Sequence, residues 1–125
     1  MAHKRWEELS EEDRRQLRLV LDLIAEKKGE RTVVLDLQKF SAPSSYFVIT
    51  EGVGERQIEA IAEHIMEKFP SSAPLSEGLE TKRWVVLDYG NFMVPILQPE
   101  VRRFYDLEGL WGEVELRLDG GDGDT

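Results

Sequence analysis

The 125-residue chain predicts an α/β domain, with helices packed on a mixed sheet. Three observations lead there. Two segments carry apolar residues at the helical period, four segments read as β-strands, and the order of elements is α-β-β-α-β-β-α, with a short extra strand allowed near Leu75. The length suits one domain at roughly 100–200 residues per domain.

The first helix is expected from Ser10-Glu11-Glu12-Asp13, an N-cap followed by acids in the first turn, to Lys28. Leu17, Val20, Leu21 and Ile24 would face the core, and Gly29 would take the left-handed stop. The segment 32–37 reads as a strand apolar on both sides except at Asp36, which predicts a central position. Segment 46–50 is a second strand rich in β-formers. The turn Gly52-Val53-Gly54 leads into a helix from Glu55 to Phe69, with Ile58, Ile61, Ala62, Ile65 and Phe69 as its apolar stripe and Pro70 as its stop.

Segments 84–89 and 92–97 form a hairpin around Gly90-Asn91. That turn pairs Tyr89 with Phe92, Leu87 with Val94 and Val85 with Ile96, so this face is core. The other face carries Trp84, Val86, Asp88, Met93, Pro95 and Leu97. Pro95 lacks a backbone donor, so its strand is expected at an edge or bulged. Pro99 opens a short helix in which Arg102 and Arg103 read as solvated charges.

Sixteen Lys and Arg stand against 25 Asp and Glu, a net charge of −9, of which the segment 113–125 holds −4 and the rest −5. That balance argues against a general nucleic-acid binder and favours a basic partner or plain solubility. The absence of cysteine excludes disulfides and thiol catalysis. No apolar run is long enough to span a membrane, and residues 1–8 lack a signal-peptide stretch, so a cytoplasmic protein is expected. Residues 1–9 read as a flexible lead, 10–112 as the domain and 113–125 as an acidic Gly-rich tail.

Candidate chemistry is sparse. Gly52-x-Gly54-x-x-Gln57 sits where a dinucleotide turn would, but the third position is Gln57, and Glu51 and Glu55 would repel phosphate. Asp36 and Asp88 are strand carboxylates that could hold a divalent cation if brought together. His3 and His64 assemble into no triad or metal set, and His64 is expected to face solvent. Trp84, off the core face, is either covered by a helix or an interface anchor.

Taken together, Val34-Leu35-Asp36-Leu37, Tyr46-Phe47-Val48-Ile49, Gln57-x-x-Ala60-Ile61-Ala62, Glu77-Gly78, Trp84-Val85-Val86-Leu87-Asp88-Tyr89-Gly90 and Arg103-x-Tyr105-x-Leu107-Glu108-x-Leu110-Trp111 resemble the ribosomal silencing factor family (RsfS, or Iojap). The resemblance implies a nucleotidyltransferase-like topology without the catalytic motif. It implies no catalytic residue, metal or cofactor, and a partner in the large-subunit ribosomal protein uL-fourteen. Binding there would block joining of the ribosomal subunits under nutrient limitation, with little direct nucleic-acid contact and a homodimer as the candidate free form. The partner-binding positions it implies are Trp84, Glu77, Gly78, Asp88 and Tyr89, and the second hairpin face adds Val86 and Met93 as candidate docking residues. Ser44-Ser45, Gly54, Asn91 and Val94-Pro95 depart from the family pattern. The alternatives are a metal-dependent nucleotide-binding or nucleotidyltransferase-like enzyme, motivated by Asp36, Asp88 and the glycine turn, and an acidic adaptor for another basic partner.

Overall fold

A computed structural model describes residues 6–39, 44–71, 75–77 and 83–105, giving the backbone alone for 75–77 and 104–105. A short 3-10 turn, Trp6–Glu8, precedes α1, Glu11–Glu26. Then follow β1, Glu30–Asp36; β2, Tyr46–Glu51; α2, Glu55–Lys68; β3, Leu75–Glu77; β4, Trp84–Asp88; β5, Phe92–Leu97; and α3, Pro99–Tyr105. The five strands form one mixed sheet in the order β1-β2-β5-β4-β3. Among the described strands, only the β2–β5 pair is parallel.

Local chemistry sets most boundaries. Ser10 caps α1, its Oγ accepting from the N–H of Asp13 at 3.0 Å. At the other end the left-handed residue is Lys28, with φ 64°, rather than Gly29. Gly29 is required for space: a Cβ there would stand 2.5 Å from Cγ2 of Ile24 and 2.8 Å from Oγ1 of Thr50. Gly90, with φ 91°, supplies the first central position of the hairpin turn.

α1 and α2 cover one sheet face. Leu17, Val20, Leu23 and Ile24 of α1 and Ile58, Ile61, Ala62 and Ile65 of α2 meet Val34, Tyr46, Val48, Val85, Leu87, Phe92, Val94 and Ile96. Leu21 packs against this core from a half-buried position, while Leu23 is fully within it. The hairpin register is the expected one: Val85 pairs with Ile96 and Leu87 with Val94, while the N–H of Tyr89 donates to the carbonyl of Phe92 at 3.0 Å.

Four expectations are corrected. Among the described strands, β1 is an edge strand, not a central one. Its two-sided apolar pattern reflects cover above and below, by the main core through Val34 and by a second cluster of Leu35, Leu37, Ile49, Leu97 and Val101. β5, which contains Pro95, is central rather than an edge. Counting from the hydrogen-bonded Tyr89–Phe92 pair, Pro95 is a non-hydrogen-bonded partner of Val86, so its nitrogen faces β2. The β2–β5 ladder breaks there: it pairs Tyr46–Phe92 and Phe47–Met93, then resumes at Thr50–Ile96. Arg102 is 4% exposed and not a solvated charge, although Arg103 is. Finally, residues 6–9 of the expected lead are packed: Trp6 and Leu9 join the main core, and the Arg18 guanidinium stands 5.1 Å over the Trp6 ring.

Candidate functional site: an apolar groove on the second sheet face

Strands alternate their side chains, so a strand apolar at every position needs cover on both faces. β5 is such a strand, and β4 is nearly so. Among the described residues, α1 and α2 cover one face, and on the other α3 covers part. Val101 of α3 packs with Leu35, Leu37, Ile49 and Leu97. Beside it lies a groove of about 300 Å³ lined by Phe47, Trp84, Val86, Met93, Pro95, Leu97 and Val101. Phe47, Trp84, Val86 and Met93 are half-buried. The register explains how they meet: Phe47 is level with Met93 across the parallel pair, and Val86 is level with Pro95 across the hairpin.

The groove offers contact rather than chemistry. Among the described residues, its lining side chains carry no carboxylate, amine, hydroxyl or imidazole. Asp88 shares this face at the hairpin end, and its Oδ1 accepts from the N–H of Gly90 at 2.8 Å, which holds the turn.

The two carboxylates considered for a cation do not meet. Asp36 is level with Tyr46, whose side chain is in the helix-covered core, whereas Asp88 is level with Met93 on the groove face. They therefore lie on opposite faces of the sheet. Asp36 is buried, and its Oδ1 accepts from the N–H of Gln38 at 3.0 Å. The glycine turn is likewise taken up internally. Gln57 Oε1 accepts from the N–H of Val53 at 2.7 Å, while its Nε2 donates to the carbonyls of Lys27 at 3.1 Å and Lys28 at 2.9 Å. One side chain thus fills the mouth of the turn and ties the start of α2 to the end of α1. His64 is 14% exposed in its side chain and bridges the helices instead of facing solvent, with Nε2 2.7 Å from Oε1 of Glu26.

The sequence pattern described as ribosomal silencing factor during starvation, RsfS, matches residues 10–123. The chain belongs to the RsfS family. It is 34% identical over 109 residues to the ribosomal silencing factor RsfS of Halalkalibacterium halodurans, covering 83% of this chain and 92% of that relative. It is 32% identical over 94 residues to the RsfS of Bacillus subtilis, covering 73% of this chain and 80% of that one. The fold superimposes on a crystal structure of a protein from Chromobacterium violaceum with a TM-score of 0.74 and 30% identity, covering 78% of this chain and 84% of the other.

Of the seven positions expected for partner binding, the structure brings Trp84, Val86 and Met93 together in the groove and sets Asp88 on the same face. Glu77 is level with Val86 along the β3–β4 pair, and Gly78 lies outside the described residues. Tyr89 is not part of this surface. It packs on the helix side, its ring stacked on Phe92 at 5.1 Å and 4.9 Å from Phe69. Burial raises the ionisation of Tyr89 above the ordinary tyrosine value. Phe47 and Val101 line the groove without having been anticipated. Phe47 shares a strand face with Ile49, but only the parallel β2–β5 pairing brings it beside Met93.

Proposed function

We propose that the chain is a non-catalytic translation silencer of the cytoplasm. In this reading it docks by the groove around Trp84 onto the large-subunit ribosomal protein uL-fourteen and blocks subunit joining by its bulk when nutrients are scarce. The observation that carries the reading is the apolar groove left uncovered by the described residues, a feature that marks contact sites on otherwise polar domains. A half-buried tryptophan in a sheet-floored groove is the type of anchor that dominates interface energetics. The net charge of −9 supports a basic protein partner, because complementary charge speeds encounter, and it disfavours contact with RNA phosphate. Membership of a family described as silencing ribosomes during starvation supports the biological setting.

The test is sucrose-gradient fractionation of separated ribosomal subunits with and without the protein. Co-sedimentation with large subunits and fewer joined ribosomes are expected. Trp84→Ala should weaken large-subunit binding by about 30- to 1,000-fold, the equivalent of about 2–4 kcal/mol for an anchor of this class. A Trp84→Ala variant that is folded and binds normally would show that the docking face lies elsewhere. Turnover of a nucleotide by the purified protein would sink the non-catalytic reading.

A further inference from the structure

One wall of the groove comes from α3, whose described residues are Pro99–Tyr105. Among the described residues, its contribution to the groove is Val101. Apolar contact is non-directional and by itself would let a helix slide or tilt on the sheet. A directional contact sits at the next residue.

Arg102 is 4% exposed. Its Nη1 donates to the carbonyl of Arg31 at 2.6 Å and lies 3.3 Å from Oε2 of Glu51. Glu51 is 7% exposed, and the same carboxylate oxygen is 3.2 Å from Nε of Arg31. Arg31 is in the left-handed region with φ 53°, at the register shift in β1. A residue displaced from the ladder in this way leaves its backbone groups available to a side chain. An irregularity on the edge strand, a buried carboxylate at the end of β2 and a guanidinium on α3 therefore form one joint.

We propose that Arg102 is a positioning residue for the docking surface: by anchoring α3 to the Arg31 carbonyl and the Glu51 carboxylate, it fixes where Val101 stands and so sets the shape of the groove that Trp84 shares. The inference rests on the reading of that groove as the docking face. The chemistry suits the role. A planar guanidinium donates in fixed directions, so it holds orientation as well as distance. Desolvation offsets much of the attraction in a buried ion pair, so its value here lies in orientation, and a pre-shaped groove avoids an ordering cost on binding.

The experiment measures affinity for purified large subunits by interferometry for the wild type, Arg102→Met, Trp84→Ala and the double variant. Circular dichroism verifies folding, and the assay runs well below each melting temperature. Arg102→Met keeps the apolar stem and removes the donors. It is expected to bind at least tenfold more weakly, and the double variant should lose less than the product of the two separate losses, because both act through one groove. Unchanged affinity in Arg102→Met, with Trp84→Ala impaired, overturns the positioning role and leaves the docking face standing. Losses that multiply in full also overturn it. If Trp84→Ala binds normally, the docking face itself is wrong and the positioning role falls with it. Should Arg102→Met fail to fold, Arg102→Lys, which keeps the stem and the charge but loses the planar fork that fixes orientation, decides by the same criteria.

Discussion

Removing a single oxygen from Tyr46 tests how the ends of α1, β1 and the hairpin are joined. The Tyr46 side chain is fully buried at the start of β2. Its hydroxyl donates to Oδ2 of Asp13 at 2.5 Å and accepts from Nε2 of Gln38 at 2.8 Å. The other Asp13 oxygen accepts from Nδ2 of Asn91, in the hairpin turn, at 3.0 Å. Tyr46→Phe keeps the ring and its packing and deletes this junction. A hydrogen bond to a charged group contributes about 1.5–3 kcal/mol. Asp13 is half-buried and keeps Asn91, so water replaces part of what is lost, and the expected cost is about 1.5–2 kcal/mol. For a chain of this size that lowers Tm by about 5–10 °C.

A second arm of the same experiment uses pH. Burial, then the hydrogen bond to Asp13 and the charges of Asp13 and Asp36, push Tyr46 ionisation well above the ordinary range. The folded state therefore prefers both Tyr46 and Tyr89 neutral. Their contribution is fully present below the unfolded tyrosine value of about 10. It is lost as pH rises further, because the unfolded chain releases these protons first. Urea unfolding followed from neutral to strongly alkaline pH should show stability falling above about pH 10. The fall should be shallower in Tyr46→Phe, which lacks one of the two groups. A Tm unchanged at neutral pH, or an alkaline slope identical to wild type, would refute the account of this junction.

Two further substitutions probe the packing. Gly29→Ala forces a Cβ against Ile24 and Thr50, both buried, and should cost about 1–3 kcal/mol in urea unfolding, whereas Gly54→Ala, with no atom within 4 Å of the added Cβ, should cost under about 1 kcal/mol. Trp6→Ala empties a core position and should cost about 3–5 kcal/mol by thermal melting; a negligible change would return residues 6–9 to the status of a loose lead.

How the site could be read from sequence follows from how far apart its parts are. The Gly90-Asn91 turn fixes the hairpin register over a few residues, so the sharing of one face by Trp84, Val86, Met93, Pro95 and Leu97 was legible in advance. The apolar stripes of α1 and α2 were legible for the same reason, since helical period is a local property. Phe47 and Val101 were not. Each joins the groove through an element distant in sequence, one by the parallel β2–β5 pairing and the other by the return of α3 across the sheet. The burial of Arg102 is not legible locally, because a charged residue's exposure depends on whether a partner meets it, and Arg31 and Glu51 meet it from β1 and β2.

By itself the sequence determined the elements, their order, the hairpin pairing, the acidic charge and the family pattern, all of which rest on neighbours along the chain. Tertiary structure alone decided the strand order, which made β1 an edge and β5 central despite Pro95. It also decided that Asp36 and Asp88 stand on opposite faces, and which of two apolar sheet faces the described helices leave partly uncovered. The physical reason is that side-chain alternation says a strand has two faces, while only long-range packing determines what covers each one.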